Sequence, residues 1–416
     1  MSNARRVVIT GYGTVNACGL TASDSWEAVR SGRSGAGPIT RFDPAEMTSK
    51  IAAELKEFDP TVAVEKHEVK RYDPFIQYAL VAAKEAVEHC GIDFDSADLD
   101  MCGSIIGSGI GGLQTIEEQY TVLGKRGARR ISPYFVPKIM MNAATGQVSI
   151  EYGLRGGNFA TASACASAAH AVGMAYRSVR DGELDFALTG GSEAVITPLC
   201  VAGFCALKAL TTSYNDEPTR ASRPFDAKRD GFLLGEGAGV LVFESLEHAR
   251  ARGATIYAEV KGFAQTADAY NIVQPAPEGK GAARAMSLAL KDAGLEPDAI
   301  DYVNAHGTST PFNDRLETEA IKRVFGEHAR KLAVSSSKSM IGHLLGASGA
   351  VELIFTICSI NDGFLHPTVN QEESDPDCDL DYVPNVGRDA EVRNAISNSL
   401  GFGGHNASVI VGKFEE

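Results

Sequence analysis

A chain of 416 residues that is 44% hydrophobic and 22% charged has the composition of a globular protein and is long enough for one large α/β body built from two halves. Its 53 acidic and 39 basic residues give a formal charge of -14, which excludes binding to nucleic acid over the whole surface. No run reaches the ~18 apolar residues of a membrane span, because Gly, Ser or charged residues interrupt every candidate.

The eight cysteines show no paired spacing, as is typical of reduced thiols rather than of a disulfide framework. The N-terminus has two arginines followed by a short strand-like run, and it lacks the apolar core of a signal peptide. We therefore expect a cytoplasmic protein.

Short β-branched runs alternate with longer segments of helical period along the chain. The sequence predicts a strand in the run VVIT after Arg6, a helix over 76–89, a strand at 241–243, a strand over 256–262 and a helix over 281–294. This alternation predicts an α/β fold with mostly buried sheets.

Two stretches follow the same plan of strand, polar turn and helix. One leads through Cys165 into a helix that ends near residue 180, and the other leads through His343 into a helix that ends near residue 360. Their sequences differ, so the likeness is one of architecture. We predict two halves, 1–254 and 255–416, whose helix starts face one another.

Cys165 lies among small residues in TASACASA, directly before the first of these helices. The free amides and dipole of a helix N-terminus lower the pKa of a thiol, which predicts a nucleophile. The alternative is a small buried hydrophobic residue.

His306 ends the strand-like run DYVNAH, with GTSTP beyond it, and this pattern places the imidazole at a sheet edge where α/β proteins carry their sites. Thr308 and Thr310 either cap this turn or bind the amides of a ligand. His343 is predicted to open the second helix, whose positive end would keep the imidazole neutral. A purely structural role is the alternative for each histidine.

Glu352 is predicted nine residues further along the helix that His343 opens, on the opposite face. Its neighbours GAV and LIF are apolar, so a buried carboxylate is expected to need a partner, either Lys338 or a backbone donor. A solvent-exposed helix glutamate is the alternative.

Two segments are rich in glycine. In NSLGFGG, Gly401 and Gly403 flank Phe402, and such a loop either exposes backbone N–H groups to an oxyanion behind a movable phenyl ring or forms a plain hairpin. The segment 107–112 fits G-x-G-x-x-G, but residues 127–130 are basic where a ribose-binding carboxylate is needed, so we predict that it binds no dinucleotide. No phosphate-binding Walker loop or Cys/His metal spacing appears, and we expect thiol chemistry with neither metal nor cofactor.

Four motifs, TxSACAS, NAHGTSTP, KSMIGHLLGASGAVE and NSLGFGG, occur in the order found in the β-ketoacyl-[acyl-carrier-protein] synthases, and the chain resembles this family over its whole length, most of all the elongating type II enzymes. The resemblance implies a thiolase-like fold, in which two similar βαβαβαββ halves form five layers, α-β-α-β-α, and a homodimer. Leu400, Ser163 and Ala168 depart from the common family pattern, which leaves the preferred chain length open.

The resemblance also implies roles for individual residues. Cys165 would receive the acyl chain, and its amide and that of Phe402 would form the oxyanion hole. His306 and His343 would hold the malonyl thioester, so that loss of carbon dioxide gives a carbanion that attacks the acyl group. Lys338 and Glu352 match the supporting pair, Thr308 and Thr310 the contacts to phosphopantetheine, Ile110 and Phe204 the acyl pocket, and Phe402 with Gly401 and Gly403 the gate.

The implied reaction is a decarboxylative Claisen condensation that gives 3-oxoacyl-acyl carrier protein in fatty acid elongation, and the implied partner is the acidic carrier protein. Basic residues match the family's docking positions at Lys66, Lys70, Arg71, Arg129, Arg130 and Lys208. For 66–71 the alternative is an ordinary solvated helix face.

Several related proteins share features of this sequence. The ketosynthase subunit of a type II polyketide or polyene pathway has the same four motifs and works beside a chain-length partner, so it stays open as the alternative. A chain-length subunit usually lacks the nucleophile, thiolases add a second cysteine near the C-terminus, and a papain-like hydrolase needs only one histidine.

Overall fold

The computed structural model describes residues 4–416. The strands are β1 (Val7–Asn16), β2 (Gly37–Pro38), β3 (Ile51–Ala52), β4 (Cys102–Gly107), β5 (Asn158–Phe159), β6 (Phe186–Glu193), β7 (Gly237–Ser245), β8 (Ala258–Ala267), β9 (Tyr302–Asn304), β10 (Ala333–Ser335), β11 (Phe364–Leu365), β12 (Arg388–Asp389), β13 (Asn394–Gly401) and β14 (His405–Gly412). The helices are α1 (Ala22–Arg30), α2 (Pro74–Cys90), α3 (Leu113–Arg126), α4 (Phe135–Ile139), α5 (Ala143–Tyr152), α6 (Ser167–Arg180), α7 (Pro198–Ala206), α8 (Leu246–Ala251), α9 (Lys280–Ala293), α10 (Pro311–Phe325), α11 (Lys338–Ile341) and α12 (Ser348–Asp362).

Ten strands form one sheet in the order β10-β9-β13-β14-β8-β1-β7-β6-β4-β5. Outward from the centre, each half places its first strand, then its fifth, fourth, second and third: β1, β7, β6, β4 and β5 on one side, and β8, β14, β13, β9 and β10 on the other. In both halves the inner pairs are antiparallel and the outer pairs parallel. The predicted duplication of a βαβαβαββ unit is confirmed.

The halves are joined through their first strands. Val7, Val8 and Ile9 of β1 pair antiparallel with Val260, Glu259 and Ala258 of β8. The two five-stranded sheets therefore form a continuous hydrogen-bonded surface, which neither the residue pattern nor the family resemblance indicated.

Helices cover both faces of each half-sheet. The helices α2 and α5 pack on the outer face of the first half, α9 and α10 cover the second, and α6 and α12 contact strands of both halves and each other. The central helix α12 is buried from Ser348 to Ile360, as expected of a helix that is apolar all round. The predicted five layers are thus present, with α6 and α12 at the centre.

The predicted position of His343 is wrong. Gly342, with φ +70°, ends the short helix α11, and α12 begins only at Ser348. His343 instead lies in the segment between the two helices, where it forms an isolated β-bridge with Leu234. Glu352 is therefore on α12 while His343 is not, and the helical-wheel argument that separated them does not apply.

None of the helices within residues 4–416 is long and apolar enough to cross a membrane.

Candidate active site

Cys165 lies on a tight turn between β5 and α6. Ala164 directly before it has φ +50°, a left-handed conformation that costs a non-glycine residue free energy and needs support from its surroundings. Ser167 provides that support, because its Oγ donates to the carbonyl of Ala164 (2.7 Å) and accepts from the N–H of Ser163 (2.9 Å). The turn is thus held in one geometry, which fixes the position of the Cys165 sulfur.

The loop after β13 packs directly on this turn. A Cβ at Gly401 would lie 2.8 Å from the carbonyl oxygen of Ser163 and 3.2 Å from the amide nitrogen of Cys165, so only glycine fits. The backbone N–H of the next residue, Phe402, acts on the Cys165 sulfur and lowers the pKa of its thiol. The amides of both loops therefore meet beside one sulfur atom.

Two histidines from the second half face the sulfur. His306 follows β9 and His343 follows α11, and each is only 2% exposed. The sulfur of Cys165 and a ring nitrogen of each histidine lie within 4.8 Å of one another. The two rings meet edge to face, with centroids 5.3 Å apart. Three side chains from distant segments thus form one buried cluster.

Lys338 and Glu352 form a buried ion pair behind this cluster, each 1% exposed. The Lys338 ammonium lies 3.4 Å from Nδ1 of His306. An ammonium has only donors, so Nδ1 accepts and the ring proton is placed on Nε2. Burial raises the pKa of Glu352, and the neighbouring Lys338 opposes that shift. Of the two partners predicted for Glu352, Lys338 or a backbone donor, Lys338 is the one observed.

Both active-site imidazoles are held neutral. Burial, with a further contribution from the Lys338 charge, lowers the pKa of His306 and of His343 well below the usual 6.5. The Nδ1 of His343 lies 2.9 Å from the Oγ of Ser348. The expected neutrality of His343 thus has burial as its cause, rather than the helix start predicted from the sequence.

The prediction of a lowered Cys165 pKa is contradicted. Burial raises the pKa of this thiol to about 12, against the opposing effects of the Lys338 charge and the Phe402 N–H. Cys165 precedes the first residue of α6 by two positions, and the desolvation of a thiolate outweighs the pull of the nearby donors. Cys165 therefore rests as a thiol rather than as a thiolate.

A cavity of about 500 Å³ leads from the surface to these three side chains. Thr308 and Thr310 line it with their hydroxyl oxygens 2.9 Å apart. Gly403 does not line it, and its N–H donates to the carbonyl of Ile272 (2.7 Å). The other residues predicted for the pocket and its gate, all of which line the cavity, are Ile110, Phe204, Gly401 and Phe402.

Two residues near the histidines were missed from the sequence. Glu317 on α10 is buried, and its carboxylate accepts the backbone N–H groups of His306 and Gly307, both at 2.8 Å. The signal was available, because Glu317 lies on the buried apolar face of an amphipathic helix. The ring centroids of Phe232 and His343 lie 5.3 Å apart. No local pattern in the sequence distinguishes Phe232 from a core residue.

The predicted basic positions are spread over the surface. Lys208 lines the cavity opening, whereas the other five lie outside its lining. Arg71 pairs with Glu68 and covers the ring of Tyr134. In the part of the chain that the structure describes, no salt bridge engages the exposed side chains of Lys66, Lys70, Arg129 and Arg130.

Comparison with known proteins indicates the same family as the sequence motifs, over the whole length of the chain. Residues 4–249 match the N-terminal domain of β-ketoacyl synthases and residues 257–372 match the C-terminal domain. The 3-oxoacyl-[acyl-carrier-protein] synthase 2 of Staphylococcus aureus is 50% identical over 415 residues, which cover 100% of both chains.

Two solved structures superpose on nearly the entire fold. A type II polyketide ketosynthase, solved in complex with its acyl-carrier protein and bound to a hexaketide, is 33% identical with a TM-score of 0.93. The ishigamide ketosynthase/chain length factor is 37% identical, also with a TM-score of 0.93. Each match covers 99% of this chain and 100% of the other.

The duplicated five-layer fold is the thiolase-like fold, and the solved ketosynthases share it over their whole length. The chain belongs to the β-ketoacyl synthase family.

Proposed function

We propose that this protein is a 3-oxoacyl-[acyl-carrier-protein] synthase that extends acyl chains in fatty acid synthesis. One observation carries the proposal: the sulfur of Cys165 and the ring nitrogens of His306 and His343 lie within 4.8 Å of one another in a buried cluster. The full-length identity of 50% to a curated synthase of this name supports it.

The first half-reaction transfers an acyl group to Cys165. The sulfur attacks the thioester carbonyl of the acyl carrier, and the proton of the thiol leaves for the departing phosphopantetheine sulfur. The amides of Cys165 and Phe402 point at the same place and stabilise the oxyanion of the tetrahedral intermediate. The raised thiol pKa fits a group that ionises only as this transfer occurs.

The second half-reaction joins two carbons. The malonyl thioester carbonyl accepts hydrogen bonds from Nε2–H of His306 and from a ring N–H of His343. As carbon dioxide leaves, the electron pair of the broken carbon–carbon bond forms an enolate. The enolate carbon attacks the acyl carbonyl on Cys165, and the thiolate departs to give the 3-oxoacyl thioester. A neutral imidazole can serve this role because it keeps one ring N–H as a hydrogen-bond donor.

The carbon atoms and electrons of these steps come from the two thioesters, and the departing Cys165 thiolate takes up a proton from water to restore the thiol. The proposed reaction therefore needs no cofactor beyond the carrier's phosphopantetheine. Thr308 and Thr310 line the cavity with paired hydroxyls that suit the amides of that arm. Phe402, between two loop glycines, is proposed as the gate.

An acidic carrier protein is the proposed partner, docked on Lys208 and on the other predicted basic residues. Arg129 and Arg130 are both exposed on a single 3-10 turn, Ala128–Arg130. The Arg129→Glu/Arg130→Glu variant is expected to raise the KM for carrier-bound substrate about tenfold at low salt, because charge pairs at an interface steer association. An unchanged KM at low salt would remove this surface from the proposal.

A homodimer is proposed from the exposed edge of the sheet. Strand β5 ends the ten-stranded sheet, and an unpaired edge is a template for another strand. Helices α3 to α5 and the link between α4 and α5 expose large apolar side chains at Ile116, Tyr120, Leu123, Val136, Met140, Met141 and Ile150. Sedimentation analysis is expected to give twice the mass of one chain, and Tyr120→Lys/Ile150→Lys to give a monomer.

The boundary between the halves is proposed at 254/255, in the loop between α8 and β8. Limited proteolysis is expected to release fragments that separate at this loop.

The ketosynthase subunit of a type II polyketide or polyene pathway remains the second candidate, since structures of that kind cover the same fold. Their identity to this chain, 33% and 37%, is lower than the 50% of the fatty acid enzyme. Copurification with a second related chain that lacks the nucleophile would favour this candidate.

The decisive assay measures carbon–carbon bond formation from acyl and malonyl carrier protein. The wild-type protein is expected to form 3-oxoacyl carrier protein and, with acyl carrier alone, an acyl adduct at Cys165 detectable by mass spectrometry. Cys165→Ala is expected to lose both, whereas Cys18→Ala, a cysteine outside the cavity, retains them. An acyl group found on another cysteine would overturn the assignment.

A further inference from the structure

The glycine-rich segment 107–112, which resembles a dinucleotide motif, gives its donors to a carboxylate of the protein itself. Glu193, the last residue of β6, is fully buried. Its Oε1 accepts from the hydroxyl of Ser108 (3.0 Å) and the N–H of Ile110 (3.2 Å). Its Oε2 accepts from the N–H of Gly109 (2.7 Å) and of Gly346 (3.0 Å).

All four groups are donors, so the side chain is held as an ionised carboxylate, which only accepts. Burial raises the pKa of Glu193, and the hydrogen bonds from Gly109, Ser108, Gly346 and Ile110 oppose that shift. These glycines leave no room for a side chain. A Cβ at Gly109 would lie 2.8 Å from the Glu193 carboxylate, and one at Gly346 would lie 2.2 Å from the Gly109 nitrogen.

The two segments that Glu193 joins lead to different parts of the reaction site. Ile110 lines the cavity beside Cys165. Gly346 belongs to the 3-10 turn Leu345–Ala347, whose first residue also lines the cavity and which is followed by Ser348, the partner of His343. One carboxylate from the first half therefore fixes both the wall of the proposed acyl pocket and the turn beside a proposed malonyl-binding histidine.

We propose that Glu193 is a positioning residue for acyl-chain selectivity, because it holds the Ile110 wall of the pocket against the turn that follows His343. The inference rests on the proposed function, since it takes the space beside Ile110 as the site of the acyl chain. A pocket wall fixed through backbone hydrogen bonds has a defined depth. Loosening it changes which chain lengths fit more than it changes the chemistry at Cys165.

The test is the variant Glu193→Gln. Its amide group places an N–H donor opposite backbone N–H donors, which separates the two segments without changing side-chain volume. We measure the acylation of Cys165 by butyryl, octanoyl and tetradecanoyl carrier protein and determine kcat and KM for each. The ratio of kcat/KM between long and short chains is expected to change by about tenfold, the smaller end of what one methylene group changes in a hydrophobic pocket.

Two further variants keep the test decisive. Ser108→Ala removes one of the four donors and is expected to move the same ratio in the same direction by a smaller factor, even if Glu193→Gln does not fold. Asp73→Asn is the matched control, because Asp73 is another fully buried carboxylate that accepts from Thr115 and the Phe75 N–H and does not line the cavity. It is expected to lose thermal stability but to keep the wild-type chain-length profile.

The outcomes separate the inference from the proposed function. If none of the three acyl carrier proteins acylates Cys165 of the wild-type protein, the proposed function is overturned. Normal acylation with an unchanged chain-length ratio in both Glu193→Gln and Ser108→Ala, or an equal change in Asp73→Asn, would overturn the positioning role alone.

Discussion

The two central segments of the halves, β5 through α6 and β10 through α12, follow one plan but carry different chemistry. In the first, Cys165 precedes its helix by two residues on a turn with a left-handed Ala164. In the second, α11 and Gly342 intervene, and His343 precedes its helix by five residues. The duplicated scaffold thus brings two loops to the same place, and the loops decide what each contributes.

The difference extends to the groups behind each loop. The first segment places its reactive group beside backbone donors, from Phe402 and from Cys165 itself. The second is backed by a buried ion pair of Lys338 and Glu352. Donors stabilise an anion on a substrate oxygen, whereas a fixed cation beside an imidazole keeps that imidazole neutral. The surroundings of each loop are therefore suited to one of the two proposed half-reactions.

Replacing one histidine is expected to separate the half-reactions most sharply. His306→Ala is expected to lower decarboxylation of malonyl carrier protein by about a thousandfold, since one donor to a developing oxyanion contributes that much. Acylation of Cys165 is expected to stay within about threefold. Carbon dioxide release and intact-protein mass measure the two separately.

The control for this histidine variant is His328→Ala, since the part-buried His328 ring bonds to the carbonyl of Ile300, lies near Phe325 and does not line the cavity. Equal loss of both half-reactions in His306→Ala would contradict the assignment of His306 to the second half-reaction.

The central helices are expected to tolerate an added methyl group unequally. A Cβ at Gly173 on α6 would lie 2.1 Å from the ring of Phe263, whereas one at Gly349 on α12 would meet its nearest atom at 2.8 Å. Gly173→Ala is expected to cost about 3 kcal/mol and Gly349→Ala about 1 kcal/mol, because overpacking in a dense core forces neighbours to move.

Thermal unfolding of these glycine variants measures the order. Gly124→Ala on the exposed helix α3, where a Cβ meets no atom within 4 Å, is the control and is expected to stabilise slightly. A larger loss for Gly349→Ala than for Gly173→Ala would reverse the comparison.

The pH dependence of decarboxylation is expected to show the effect of the ion pair of Lys338 and Glu352. Because the pKa values of His306 and His343 are lowered well below 6.5, decarboxylation is expected to stay within about twofold from pH 7.5 to pH 6. These imidazoles take up a proton more readily in the unfolded chain, so they also make stability fall as pH drops below 6.5.

The Lys338→Met/Glu352→Gln variant removes one cause of the lowered histidine pKa and is expected to move the acid limb of the rate profile to higher pH. Rates of carbon dioxide release between pH 5 and pH 8 measure it. An acid limb that stays in place would assign the lowered pKa of the histidines to burial alone.

The sequence by itself determined several elements and the family. Hydrophobic periodicity predicted the helices later found as α2 and α9 to within two residues, and the four motifs gave the family and its duplicated fold. These features are local, since periodicity and turn chemistry depend on neighbours along the chain.

Only the tertiary structure decided the electrostatics and the long-range supports. It reversed the expected shift of the Cys165 pKa, placed His343 outside a helix, and showed that Glu193 occupies the donors of the glycine-rich segment. A pKa depends on how completely surrounding atoms exclude water, and a buried carboxylate depends on donors that lie far away in the chain. Neither quantity is encoded in any one stretch of residues.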